Sequence, residues 1–353
     1  MMKSFKRFAL VTSAIFAISF AHTSMAIIDI SGGGATFPAP LYSEWSDTYK
    51  SETYSVVRYR PIHSTFGINQ LLRKEGDFGA TDAPFPTEYL EKNMLFQFPA
   101  VIGGVVPIFH LDEISSGQLK LTGEILADIF MGEIRKWNDP KIVAINEGVT
   151  LPNKSITVFR RSIGSGTTSI FTNYLSKVSE SWKNRVGEGK EVSWLTGKST
   201  KDNETIARFV KRANGSIGYV GYSYAVRHEL PVVQLKNHDG NFVEAGSKSF
   251  QAAIENAKWD TNKGFNTNLT DQPGKDSWPI TGASYILIPK IQESPSIGNS
   301  VLSFFDWGYT KGSKTAADLG YLPLPESLIK IIRKAWSTQI KDSQGNAVWE
   351  QVK

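Results

Sequence analysis

Arg160-Arg161-Ser162-Ile163-Gly164-Ser165-Gly166-Thr167-Thr168 is followed by Ile170, Phe171, Tyr174 and Leu175 on one helical face, and preceded by the apolar run Ile156 to Phe159. The order is strand, glycine-broken turn, helix start, the junction from which open α/β sheets are built. The first N–H groups of a helix have no internal partner, and the helix dipole favours negative charge there. Two hydroxyls and a guanidinium beside such a helix start add charge-assisted hydrogen bonds. The stretch is read as a cradle for a tetrahedral oxyanion.

Two further junctions of this kind lie upstream. Ile27 to Ser31 is strand-like and runs into Gly32-Gly33-Gly34-Ala35-Thr36-Phe37-Pro38-Ala39-Pro40, after which Leu41, Trp45, Thr48 and Tyr49 recur at helical spacing. Val56 to Arg60 alternates as a strand, Ser64 and Thr65 are helix-capping residue types, and Ile68, Leu71 and Leu72 follow on one face. The glycine run is not a nucleotide P-loop, because no Gly-Lys-Ser/Thr follows it. Phe78 to Pro84 reads as strand then turn, and places Asp82 at the turn. Phe98 to Phe109 reads as a long buried strand and Tyr285 to Ile288 as an apolar strand; Thr205–Arg212 is a helix, and Ile297–Gly308 and Glu326–Ile340 are amphipathic helices. The alternation predicts an α/β fold with mixed, mostly parallel sheets flanked by helices.

The first 26 residues carry a basic start (Lys3, Lys6, Arg7), an apolar run from Phe8 to Phe20, and the small-x-small triplet Ser24-Met25-Ala26. These mark a cleaved signal peptide with its cut after Ala26, which implies a periplasmic protein. Without that segment the 39 Lys and Arg fall to 36 against 34 Asp and Glu, so the formal charge drops from +5 to +2. Nothing basic enough for nucleic acid is left. There is no cysteine, so disulfides, thiolate chemistry and lipid modification at a cysteine are excluded. His63, His110, His228 and His238 show no metal-ligand spacing, so no cofactor or metal is expected.

A set of motifs in order makes a family resemblance specific. They are Gly34-Ala35-Thr36-Phe37-Pro38-Ala39-Pro40, Asp77-Phe78-Gly79-Ala80-Thr81-Asp82-Ala83-Pro84, Gln97 to Val106, the Arg-Arg to Gly-Ser-Gly-Thr run, Ile217-Gly218-Tyr219-Val220, Trp278-Pro279-Ile280-Thr281 and Phe304-Phe305-Asp306-Trp307. The chain resembles the periplasmic phosphate-binding proteins of high-affinity phosphate ABC transporters, a type II periplasmic substrate-binding family. The resemblance implies a two-lobed Venus-flytrap fold, with residues 27–101 and 280–353 forming one lobe and 102–279 the other. It also implies a monomer that binds inorganic phosphate without chemistry. The protein would deliver it to a membrane permease of two subunits served by ATPase subunits. Ala35, Thr36, Phe37, Ser64 and Asp82 would bind from one lobe, and Arg161, Ser165, Gly166 and Thr167 from the other.

Asp82 is the instructive member. A carboxylate beside an anion makes sense only as the acceptor of a ligand proton, which hydrogen phosphate keeps at neutral pH and sulfate does not. The rival readings, a binder of another oxyanion such as sulfate and a secreted phosphatase, lack respectively a use for Asp82 and a nucleophile, base or metal set. Three positions depart from the family pattern: Ile163 stands where an aspartate usually follows the arginine, and His63 and Phe66 replace glycines around Ser64. Without that aspartate, Arg161 keeps more uncompensated charge. Phosphate affinity should therefore fall more steeply with salt in the wild type than in an Ile163→Asp variant. Titrations at low and high ionic strength compare the two, and parallel slopes would refute the argument.

Overall fold

The computed structural model describes residues 28–162, 164–257 and 264–349. The signal-like segment, its cut after Ala26, and Ile163 lie outside them. In chain order, β1 (Ile30–Gly34) leads through a buried turn to α1 (Ala39–Thr53), β2 (Val57–Pro61), α2 (Ser64–Leu72), β3 (Phe78–Thr81) and α3 (Thr87–Lys92). The long β4 (Leu95–His110) then carries the chain to β5 (Lys120–Leu121), α4 (Gly123–Met131), α5 (Pro140–Val143), β6 (Thr157–Arg161), α6 (Gly166–Val178) and α7 (Glu180–Arg185). Next come β7 (Lys198–Thr200), α8 (Asn203–Arg212), β8 (Ser216–Gly221), α9 (Tyr222–Arg227), β9 (Gln234–Lys236), β10 (Phe242–Val243) and α10 (Ser247–Glu255). The chain closes with β11 (Thr281–Pro289), β12 (Ile291–Gln292), α11 (Pro295–Thr310), α12 (Ser313–Asp318), α13 (Glu326–Gln339) and β13 (Lys341–Asp342).

Eight strands join in one sheet, in the order β2-β1-β3-β11-β4-β8-β6-β7. The outer groups are parallel: β1 pairs with β2 and β3, and β6 pairs with β8 and β7. The middle is antiparallel, because β11 runs against β3 and β4, and β4 against β8. The separate sheets expected from the sequence are thus joined through one strand. Residues Leu95–Gly104 of β4 pair with β11, and Val105–His110 pair with β8. The strand changes partner at Gly104, whose Cβ, if it had one, would lie 2.3 Å from the Phe250 ring.

Sequence explains the two halves. All of β4 up to Phe109 is buried, as its unbroken apolar run requires for a strand covered on both faces. On the first half, α1 turns Tyr42, Trp45 and Tyr49 inward, against Phe304 and Phe305 of α11. Trp45 also donates from Nε1 to Gly312 O at 2.9 Å, and Trp336 of α13 packs edge-on to Phe98. The C-terminal helices therefore complete the half begun by β1. On the second half, Tyr219 stacks between Phe171 and Trp194, and Phe130 meets Phe171 edge-on.

The two parallel groups run in opposite directions, so their strands end toward one another near the point where β4 changes partner, and the helix starts that follow them converge there, where such folds gather ligands. Gly34 makes the first of these turns. Its φ is +143°, and a Cβ there would stand 2.0 Å from Ala80 O on the neighbouring strand. Gly34→Ala should cost about 3 kcal/mol or more through backbone strain and strand displacement. Thermal unfolding measures this, and an unchanged midpoint would mean that β1 and β3 can move apart freely.

Candidate oxyanion site

Three tyrosines set the first turn. Tyr59 donates its hydroxyl to Ala35 O, Tyr224 to Thr36 O and Tyr321 to Phe37 O, each at 2.6 Å. In a trans peptide the N–H points opposite to the C=O that precedes it. Anchoring the Ala35 and Thr36 carbonyls on tyrosines therefore turns the Thr36 and Phe37 N–H groups the other way. Ala35 donates its own N–H to Ala80 O at 3.0 Å, which ties the turn to β3.

The second junction is capped differently from the sequence reading. His63, not Ser64, is the N-cap of α2, and its Nδ1 accepts from Phe66 N–H at 3.0 Å. Burial and the Arg161 charge hold His63 below the usual histidine range, which keeps Nδ1 free to accept. Ser64 is released from capping and lies fully buried as the first helical residue. Its Oγ accepts from Gly166 N–H at 3.1 Å and Asp82 N–H at 3.3 Å. Phe66 packs under the Arg60 guanidinium, 5.0 Å from the ring centre.

The third junction is a helix start, as its sequence pattern predicts. Ser165 caps α6, accepting from Thr168 N–H at 3.1 Å, and Gly166 and Thr167 open the helix. Gly164 has a φ of +58° and lies against His63 and Thr65 of the opposite half, where Thr65 N–H donates to Gly164 O at 3.3 Å. Gly166 cannot carry a side chain: its Cβ would stand 2.5 Å from Ser64 Oγ and 2.6 Å from Asp82 Cβ. The α6 start is thus pressed directly against the Ser64 and Asp82 jaw.

Arg161 and Asp82 complete the site, and both are 2% exposed. Arg161 donates from Nε to Lys201 O at 3.1 Å and from Nη1 to Thr36 Oγ1 at 3.2 Å, while Nη2 is buried with no partner among the described residues. Burial lowers its pKa from the ordinary arginine value. Among the described residues, neither carboxylate oxygen of Asp82 has a hydrogen-bond partner. Burial pushes its pKa from an ordinary 3.8 to about 7, against smaller opposing effects of the nearby Ser284 hydroxyl and the Arg161 charge. Ser284 favours the carboxylate by proximity alone, since its own oxygen is not in bonding geometry.

The structure therefore gathers Thr36, Phe37, Ser64, Asp82, Arg161, Ser165, Gly166 and Thr167 at one place. It adds a residue that the sequence reading missed. Asn203, fully buried at the start of α8, donates to Thr36 Oγ1 at 2.8 Å and Thr167 Oγ1 at 3.1 Å, and accepts from Gly221 N–H. It ties one jaw to the other. The signal was present in Asp202-Asn203-Glu204-Thr205, where Asp202 caps the helix through Thr205 N–H. A cavity of about 300 Å³ meets the site only at Asp82 and is otherwise lined by residues such as Ser169, Asn173, Asn268 and Thr270. Among the described residues, no group of three or more His, Cys, Asp or Glu side chains is placed to hold a metal ion.

Two α/β halves sharing a strand, with helix starts converging between them, define the class of two-lobed solute-binding proteins. The chain belongs to the family of phosphate-binding proteins PstS within the PBP superfamily, whose domain model matches residues 21–310. It is 48% identical over 337 residues to the phosphate-binding protein PstS of Pasteurella multocida, covering 96% of this chain and 98% of that one. It is also 48% identical over 312 residues to PstS of Haemophilus influenzae, covering 88% and 93%. Among solved structures, a high-affinity periplasmic phosphate-binding protein (PfluDING) with bound phosphate aligns with a TM-score of 0.69 at 19% identity, covering 87% of this chain and 94% of that one. A phosphate-binding protein from Stenotrophomonas maltophilia aligns at 0.67 and 17% identity, covering 90% and 96%. These two likenesses show a shared fold.

Asp82 makes stability depend on pH. Its pKa in the fold lies above the ordinary carboxylate value, so its cost is absent below about pH 4, grows as pH rises, and is complete above about pH 7. The full cost has an upper bound of about 4 kcal/mol. Asp82→Asn keeps the shape and removes the charge. In anion-free protein its thermal midpoint should exceed that of wild type by more at pH 8 than at pH 5. A pH-independent difference would mean that Asp82 titrates as an exposed carboxylate does.

Proposed function

We propose that the protein binds inorganic phosphate in the periplasm and delivers it to an ABC-type phosphate importer. The observation that carries this is the pairing of orphaned groups. Asp82 needs a donor and Arg161 Nη2 needs an acceptor, both are buried, and they stand among helix-start N–H groups and hydroxyls. Hydrogen phosphate brings one O–H and several acceptor oxygens, so it answers both needs at once. Sulfate answers only the second and leaves the carboxylate facing a lone pair, at a cost of several kcal/mol, or about 10³-fold in affinity.

The nine positions of the sequence reading then divide by role. Thr36, Phe37 and Thr167 supply backbone N–H groups; Thr36, Ser64, Ser165 and Thr167 supply hydroxyls; Gly166, whose N–H goes to Ser64 Oγ, lets the start of α6 approach without a side chain; Arg161 supplies charge, and Asp82 accepts the ligand proton. Ala35 shapes the turn. The two lobes are residues 27–101 with 280–353, and 102–279, and the partner change of β4 at Gly104 supports a hinge close to that division. Closing the lobes replaces the hydration shell of the anion with fixed donors. Binding then selects the closed form. The importer is a membrane permease of two subunits driven by ATPase subunits, and the protein meets it as a monomer after removal of residues 1–26.

The pKa of Asp82 adds a pH signature. Above pH 7 the carboxylate is charged and rejects sulfate; well below it, a protonated Asp82 donates, and sulfate becomes acceptable. Calorimetric titration of stripped protein should give phosphate binding at pH 8 with sulfate at least about 10³-fold weaker. The gap should narrow by an order of magnitude or more at pH 5.5, and in Asp82→Asn at both pH values. Sulfate rejection that is equally strong at pH 5.5 would remove Asp82 as its source, and absence of phosphate binding would remove the function.

A further inference from the structure

Lys190 lies in the loop between α7 and β7, and the function above gives it no task. Three observations place it across the seam between the halves. Its carbonyl accepts Ser165 N–H at 3.0 Å, which fastens its backbone to the start of α6. Its ammonium lies 4.2 Å from the centre of the Phe85 ring. Phe85 stands three residues beyond Asp82, on the loop of the opposite half, and is itself fixed. Its N–H donates to Gln97 Oε1 at 2.8 Å, and its ring stacks on Tyr89 with centres 4.5 Å apart. Lys190 is half-buried, and burial lowers its pKa.

We propose that Lys190 is a clasp: by seating its ammonium on Phe85 it joins the Asp82 loop to the α6 cradle and slows the escape of bound phosphate. The proposal rests on the phosphate-binding, two-lobed reading above. A contact made only when the lobes meet stabilises the closed form alone, so it acts on release more than on capture. An ammonium on an aromatic face in a partly desolvated seam is worth about 5- to 30-fold in an equilibrium or rate. A lysine that merely attracted anions would behave otherwise. It would act on the association rate, would be screened by salt, and would not depend on the Phe85 ring.

Stopped-flow phosphate binding and release by wild type, Lys190→Met, Lys190→Arg and Phe85→Leu separates these. Lys190→Met keeps the stem that packs in the seam, and Phe85→Leu keeps the charge. Each should release phosphate about 5- to 30-fold faster, with association within about twofold of wild type. Lys190→Arg should stay near wild type, and the double variant should be no faster than either single one. Unchanged release in Lys190→Met overturns the clasp. So does a slower, salt-sensitive association in Lys190→Met with Phe85→Leu silent, which would make Lys190 a steering charge. Wild type that binds no phosphate would refute the functional reading itself and the clasp with it.

Discussion

Asp82 and Arg161 are buried, opposite in charge and close enough to shift one another's pKa, yet they do not bond. Much of the site follows from keeping them apart. Arg161 is held by Lys201 O and by Thr36, and Thr36 Oγ1 is held in turn by Asn203. The Asp82 N–H is held by Ser64, whose oxygen also receives the first N–H of α6. A direct ion pair would quench both groups and leave nothing for a ligand to satisfy. The surrounding network therefore stores an electrostatic demand that one small species, with both a proton and lone pairs, can meet.

Aromatic residues do much of this holding. Tyr59, Tyr224 and Tyr321 orient one turn, and Tyr219 hydrogen-bonds the Arg161 N–H and the Thr168 hydroxyl. Around the site the cations also rest on rings: Arg60 over Phe66, Arg160 over Trp194, Lys190 over Phe85. A ring face stabilises a cation without cancelling its charge, as a carboxylate would. These cations keep their charge, although the chain as a whole is close to neutral without its signal-like segment.

What could be read from the sequence was local, and what could not was relational. The cradle at Ser165–Thr167, the turn at Asp82 and the long strand up to Phe109 each carry their own chemistry or periodicity, and each stands where the pattern put it. Capping at Ser64 was misread because histidine is a rare cap, and only the His63 ring nitrogen facing Phe66 N–H decides it. Ala35 looked like its neighbours until Ala80, 45 residues on, claimed its N–H. Asn203 sat in plain view as a helix start, but nothing near it in sequence names Thr36 and Thr167 as its partners. The joining of two sheets through β4 likewise depends on pairing with β11, far along the chain.

That pairing also governs the order in which the molecule can form. β11 lies between β3 and β4, which precede it by nearly two hundred residues, and α11 to α13 cover the same half. The first half therefore has a slot in its sheet until almost the entire polypeptide has been made, and contacts of such long separation form slowly. This topology is a timer: the first half waits on the last quarter of the chain. The early segments have no finished structure to collapse into while the late ones are still being synthesised.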